Sequence, residues 1–215
     1  MKRYFCADHH FNNGDINRFC RRPVLRKTDL DVHGNWTSKT AIIESAERGA
    51  EFLINNCNNR VKPEDNVICV GDLQNYGDVK GVPGLRRKPA YYFERLNGIW
   101  IVLEGNHDTN NKVKPVARYM ILDIGPYRAF VSHYPVENEG KFDKTLLQYI
   151  GKCTDFQICG HVHKAWKHKW HKIMGMKSYL MYNVGVDVQK YMPVSDQDII
   201  RDVSRIMRVE GEKQK

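Results

Sequence analysis

The segment Ile99-Trp100-Ile101-Val102-Leu103-Glu104-Gly105-Asn106-His107-Asp108 passes from five apolar residues almost directly into a cluster of polar and titratable ones. Its first half is β-branched and aromatic, the composition of a sheet strand. The same order recurs at four other places. Tyr4-Phe5-Cys6-Ala7 runs into Asp8-His9-His10, Val67-Ile68-Cys69-Val70 into Gly71-Asp72, Ala129-Phe130-Val131 into Ser132-His133, and Phe156-Gln157-Ile158-Cys159 into Gly160-His161-Val162-His163. Tyr179-Leu180-Met181-Tyr182 adds a sixth strand-like run. In open α/β sheets ligands bind outside the carboxyl ends of the strands, so motifs distant in sequence are expected to meet in one crevice.

Helical periodicity fills the intervals. Ile42, Ile43, Ala46, Ala50, Leu53, Ile54 and Cys57 repeat at helical spacing within residues 38–57, which predicts a helix covering one sheet face. Shorter stripes predict helices over 144–150 and 196–207, the last with Ser195 as its cap. Strands alternating with helices give an α/β fold, a layered sandwich of central mixed β-sheets flanked by helices. Residues 12–36 and 75–90 read as long loops, which in a compact domain are usually functional, and 211–215 as a frayed end.

At 215 residues the chain suits one domain spanning 1–215, and no apolar run approaches the roughly 20 residues that cross a bilayer. Asp8 ends the first apolar run too early for a signal peptide. Six cysteines without a Cys-x-x-Cys pair point to free thiols and a reducing, cytoplasmic compartment rather than a disulfide scaffold. A formal net charge of +9 favours an anionic partner such as phosphate, nucleotide or nucleic acid, a solvated basic surface being the alternative.

Carboxylate, imidazole and amide donors without a thiolate suit Mn, Fe, Zn or Ni in a reactive site more than a structural zinc. Asp8 and His10 stand two apart, as do His161 and His163, a spacing that in an extended segment puts both side chains on one side. Each pair alone is a weak signal. The ordered set of five, each behind its own apolar run, is the strong one.

Asp-x-His, Gly-Asp, Gly-Asn-His-Asp, a lone His and Gly-His-x-His, in this order over residues 4–187, resemble the signature of the calcineurin-like metallophosphoesterases. Asp8-His9-His10-Phe11 followed by Arg21-Arg22-Pro23 resembles the small single-domain bacterial and phage members. The resemblance implies two divalent metal ions per chain, drawn from Mn, Fe, Zn or Ni with Mn favoured. Asp8, His10, Asp72 and His163 would bind the first ion, and Asp72, Asn106, His133 and His161 the second. A hydroxide shared by the ions would attack a phosphate mono- or diester in line. By the same resemblance His107 stabilises the transition state or protonates the leaving oxygen, with Asp108 orienting it. Where the family often has an acid or Asn three places after the Asp of its second block, this chain has Asn75; where the small members often carry a further His and Asn in the first block, it has Asn13 and Asp15.

Residues 164–177 combine lysines with Trp166 and Trp170 and contain no acid. Lys167 and Lys169 are expected to neutralise phosphate while the indoles stack on bases; the competing expectation is a hairpin with both indoles packed inwards. Arg22 is the expected phosphate clamp of the first loop. The predicted function is a two-metal phosphoesterase acting on nucleotides or nucleic acid. The alternatives are a non-catalytic binding module on the same fold and a protein phosphatase.

Overall fold

The structure is a computed structural model that describes residues 1–108, 111–173 and 178–210. The expected frayed end at 211–215 and the stretch 174–177 of the basic segment lie outside them.

Two mixed sheets form the centre. In the first, β1 (Arg3–Cys6) pairs parallel with β2 (Asn66–Cys69), β2 pairs parallel with β3 (Ile99–Val102), and the short β9 (Val194–Ser195) runs antiparallel along β1. In the second, β5 (Tyr127–Ser132), β6 (Phe156–Cys159) and β8 (Ser178–Asn183) are parallel. Its edges, β4 (Tyr119–Ile124) and β7 (His168–Lys172), are antiparallel.

Alternation along these strands decides the layering, because successive side chains leave opposite faces. Phe5, Ala7, Ile68, Val70 and Leu103 meet Ala129, Val131, Phe156, Ile158, Leu180 and Tyr182 in a core between the sheets. Tyr4, Cys6, Val67, Cys69 and Val102 face the other way, against Ala50, Leu53, Ile54 and Cys57 of α2 (Lys39–Asn58). Phe130, Cys159, Tyr179 and Met181 pack on Leu147 and Ile150 of α4 (Lys144–Cys153). The result is the expected layered α/β sandwich. α5 (Asp196–Glu210) inserts Ile199, Val203 and Ile206 into the core between the sheets.

The helix starts follow capping chemistry. Ser38 accepts from Ala41 N at 3.0 Å, Asp143 from Leu146 N at 2.8 Å, and Ser195 exchanges hydrogen bonds with Asp198 in a reciprocal box. Within the two long loops, α1 (Asp15–Phe19) and the N-terminal end of α3 (Pro89–Phe93) form single helical turns that the sequence did not announce. No helix of the described residues is long and apolar enough to cross a membrane.

Candidate metal centre

The five motifs do converge, by a route other than the extended segments expected. Asp8 (φ 61), His10 (φ 50), Asp72 (φ 55), His161 (φ 73) and His163 (φ 47) all adopt left-handed backbone, so the chain turns sharply beyond the ends of β1, β2 and β6. This conformation is disfavoured for residues with a Cβ and is held by surrounding structure at functional sites. Here the holding bonds are visible. Asp8 N donates to Gly71 O, His10 N to Asp72 O at 3.1 Å, and His161 N to the Asp8 carboxylate at 3.0 Å. A Cβ on Gly160 would stand 2.6 Å from that of Ala7, which explains the glycine before His161.

Donor atoms of Asp8, His10 and His163 lie within 4.8 Å of one another, as do those of Asp8, Asp72 and His133. Asn106 Oδ1 joins the second group, 3.0 Å from His133 Nε2 and 2.9 Å from His161 Nδ1. Asp72 Oδ2 stands between the two groups, 3.5 Å from His10 Nε2 and 3.4 Å from His133 Nε2. All seven sequence-predicted donors are therefore neighbours. Asp8 and His10 share one cluster, whereas His161 and His163 divide between two.

The donors fit a cation. His133 Nδ1 is 2.9 Å from the Val70 carbonyl, which can only accept, so Nδ1 carries the proton. In the neutral ring Nε2 is then a bare lone pair facing the oxygens of Asn106 and Asp72, an arrangement that calls for positive charge between them. Without a metal a proton supplies it: burial opposes charging His133, but hydrogen bonding to Asp72 prevails and holds its pKa at about 9. His10 Nδ1 is 3.1 Å from Asn75 Oδ1, and its Nε2 is buried without a partner. Burial drives His10 down to about 3 and His161 to about 4, leaving both as neutral donors. Two carboxylates, Asp8 and Asp72, are sealed from solvent in the same place. Divalent ions answer these orphaned lone pairs and buried charges together.

His107 sits beside this cluster, its backbone N donating to Asp72 Oδ1 at 2.9 Å. The Asn75 amide joins two rings: Oδ1 takes the His10 Nδ1 proton and Nδ2 donates to His107 Nδ1 at 3.1 Å. That leaves the proton of a neutral His107 on Nε2. The expectation for Asp108 needs correction. Its buried carboxylate accepts from the backbone N of Asp72 at 2.7 Å, Leu73 at 2.9 Å and Gly105 at 2.9 Å, and so fastens two motif loops together rather than orienting the His107 ring.

Arg22 also differs from expectation. It is 2% exposed, pairs with Asp187 at 2.8 and 3.1 Å, and donates to the carbonyls of Asp8 and His9 at 2.8 and 2.9 Å. No part of the guanidinium is presented to a substrate; it braces the first motif from behind. Asp187 in turn accepts from His163 Nδ1 at 2.9 Å, with the Cys20 thiol 3.5 Å from the same nitrogen. Burial works against charge on His163, but the hydrogen bond to Asp187 outweighs it and lifts the pKa to about 10. Sequence reasoning missed Asp187, and missed Asn183, whose amide donates to the His163 and Trp166 carbonyls at 3.0 and 2.9 Å. The available signal was the sixth apolar run, Tyr179–Tyr182, which is likewise followed by polar residues.

The two indoles of the basic aromatic segment do not stand side by side. Trp166 packs on the α4 side of the second sheet and Trp170 on the opposite, inter-sheet side, so no single base or strand reaches both. Lys167 pairs with Asp202 at 3.0 Å and Lys169 with Glu137. Both indoles are half-buried against core residues, Trp170 from β7 and Trp166 from the segment before it.

An open cleft of about 530 Å³ adjoins Asn106 and His133 on another side, lined also by Arg118, Tyr119, Tyr134, Lys141 and Phe142. It was not anticipated because its walls come from four separate segments.

A family model described as calcineurin-like phosphoesterase matches residues 1–181. The chain is similar to the uncharacterized protein MJ1445 of Methanocaldococcus jannaschii, 24% identical over 204 residues that cover 95% of this chain and 92% of that one. Its structure is similar to that of AQ665, a protein of unknown function from Aquifex aeolicus, with TM-score 0.59 and 21% identity over 93% of this chain and 98% of that one. It is also similar to YfcE, a phosphoesterase from E. coli, with TM-score 0.42 and 18% identity over 85% of this chain and 78% of that one. The family model spans every one of the five motifs, and the divalent metals it implies match the donors gathered at the strand ends. This chain belongs to the calcineurin-like phosphoesterase family.

Proposed function

We propose that the chain, acting as one domain, hydrolyses phosphate esters with two divalent metal ions, and that its substrates are nucleotides or nucleic acid. The observation that carries this is the convergence of donor atoms on the Asp72 carboxylate, with His10 Nε2 buried and unpartnered on one side of it and His133 Nε2 on the other. Asp8, His10, His163 and Asp72 would hold the first ion, and Asp72, Asn106, His133 and His161 the second. Bound there, the ions supply Lewis acidity, lowering the pKa of a water and drawing charge from the phosphoryl oxygens. Mixed oxygen and nitrogen donors suit Mn, Fe, Zn or Ni, of which manganese is the ion we favour.

The chain's own residues supply the rest. The buried Asp8 and Asp72 neutralise much of the cationic charge, and Asp108 keeps the two motif loops in register through three backbone hydrogen bonds. Asn75 fixes the His107 tautomer so that Nε2 donates its proton to the leaving oxygen. The net charge of +9 favours polyanions, and the six unpaired cysteines suit a reducing compartment such as the cytoplasm.

Purified protein is expected to contain about two transition-metal ions per chain and to lose hydrolysis of bis-p-nitrophenyl phosphate on chelation, recovering it with added Mn²⁺. Elemental analysis beside the assay checks this; full activity after exhaustive chelation would exclude the two-metal mechanism. His107→Ala is expected to keep both ions and lose about 10²-fold or more in kcat, most for esters with poorly acidic leaving groups. A uniform loss across a leaving-group series would remove the general-acid role.

A further inference from the structure

We propose that the cleft beside Asn106 and His133 is a subsite for a second phosphate and its base, making a single-stranded oligonucleotide the substrate; this rests on the phosphoesterase reading above. Tyr134 forms the partition between the two. Its ring centroid lies 4.7 Å from that of His161 and 5.3 Å from that of His133, and the Lys141 ammonium stands 4.7 Å from the centroid of the same ring. A group leaving the metal centre past Tyr134 therefore meets Lys141 first.

Arg118 lines the same cleft. Its carboxylate neighbour, Glu104, is 3.8 Å away with both side chains open to water, 70% and 41% exposed, so the pair is weak and the guanidinium is available to an anion. Asp143, the other acid of the lining, is engaged as the cap of α4. Two cations thus line the cleft beside the candidate metal centre, where a second phosphate would meet both. Tyr119, 43% exposed, and Phe142 supply flat apolar surface beside the cations. Alternating cationic and aromatic groups are what a phosphate and its base require, and stacking tolerates any base. A lone aryl phosphate would leave Arg118 and Lys141 without a ligand, and an acidic peptide would leave the rings without one.

The test compares 5′-phosphorylated oligothymidylate with bis-p-nitrophenyl phosphate, which lacks both the second phosphate and the base, using the metal-loaded enzyme. In Arg118→Ala/Lys141→Ala the ratio of kcat/KM for the oligonucleotide to that for the aryl diester is expected to fall at least tenfold, mainly through KM. Tyr119→Ala is expected to lower the same ratio. Binding of a fluorescent phosphorothioate oligonucleotide, followed by anisotropy against salt, is expected to lose slope in the double variant, by about 0.7 for each phosphate contact removed. An unchanged ratio with an unchanged salt slope overturns the subsite, as does a parent that cleaves the aryl diester but neither cleaves nor binds oligothymidylate. Metal-loaded protein that hydrolyses neither substrate fails as a phosphoesterase instead, and the anisotropy comparison still decides whether the cleft binds the strand.

Discussion

Asp72→Ala is expected to leave fewer than one metal ion per chain and to lower kcat/KM for bis-p-nitrophenyl phosphate at least about 10³-fold, beyond the 10²–10³ typical of deleting one electrostatic donor. Asp72 Oδ2 stands 3.5 Å from His10 Nε2 and 3.4 Å from His133 Nε2, so a single oxygen faces both donor clusters. Two dications a few ångströms apart repel strongly, and the anion between them offsets that repulsion. The other oxygen, Oδ1, accepts the His107 backbone N at 2.9 Å, tying the proposed proton donor to the same carboxylate. Asp72→Asn retains an oxygen for that bond and removes the charge, so it separates the two contributions. If charge dominates, Asn matches Ala in metal content while keeping the parent melting temperature of the metal-free protein. Two ions per chain in Asp72→Ala, measured by elemental analysis, would place the bridging role elsewhere.

The legibility of this centre came from a rule about strand ends. Five apolar runs announced β1, β2, β3, β5 and β6, and each ligand motif followed its run within a few residues because the sheet delivers strand ends to one edge. β4, Tyr119–Ile124, is as apolar as any of them yet carries no motif behind it, and so escaped notice. β9 is two residues long, too short to show a period. Residue type and order were sufficient to pick out seven candidate donors that the fold brings together. Orientation was not legible: the left-handed turns at Asp8, His10, Asp72, His161 and His163 depend on cross-loop hydrogen bonds that no local pattern encodes.

The errors share one physical origin. Arg22 and Asp108 were placed by resemblance, Trp166 and Trp170 by what their side chains can do, and each turned out to be buried or half-buried by a partner remote in sequence. Asp187 is 165 residues from Arg22, and Asp108 is 36 from Asp72. Chemical capability is a property of the residue, whereas availability is a property of the fold. Asn75, three places after Asp72, reaches His10 and His107 at once, a link that the sequence order alone did not show.

Asp187→Asn is expected to weaken the first metal ion selectively, by about 10–100-fold in affinity, while the second ion binds as in the parent. The carboxylate takes the Nδ1 proton of His163 at 2.9 Å and so fixes the tautomer that leaves Nε2 free for the metal. The second ion's donors, Asn106, His133 and His161, make no hydrogen bond to Asp187 among the described residues, which is why the effect should be one-sided. Stability will also change, because the substitution strands a buried Arg22; breaking such a pair costs about 3–5 kcal/mol, or roughly 10 °C in Tm for a chain of this size. Burial pushes the Asp187 carboxyl up, but His163 and Arg22 pull it well below the ordinary carboxylate range. Its contribution is therefore complete above the unfolded pKa of about 3.9 and fades only in stronger acid, so a neutral-pH comparison captures it in full. Arg22→Met separates the two roles, since it removes the ion pair and keeps the Asp187–His163 bond. Calorimetric titration with Mn²⁺ should then show the first binding step weakened more in Asp187→Asn than in Arg22→Met, although both variants melt early. Equal losses at both steps, or equal losses in both variants, would mean that Asp187 stabilises the fold without orienting His163.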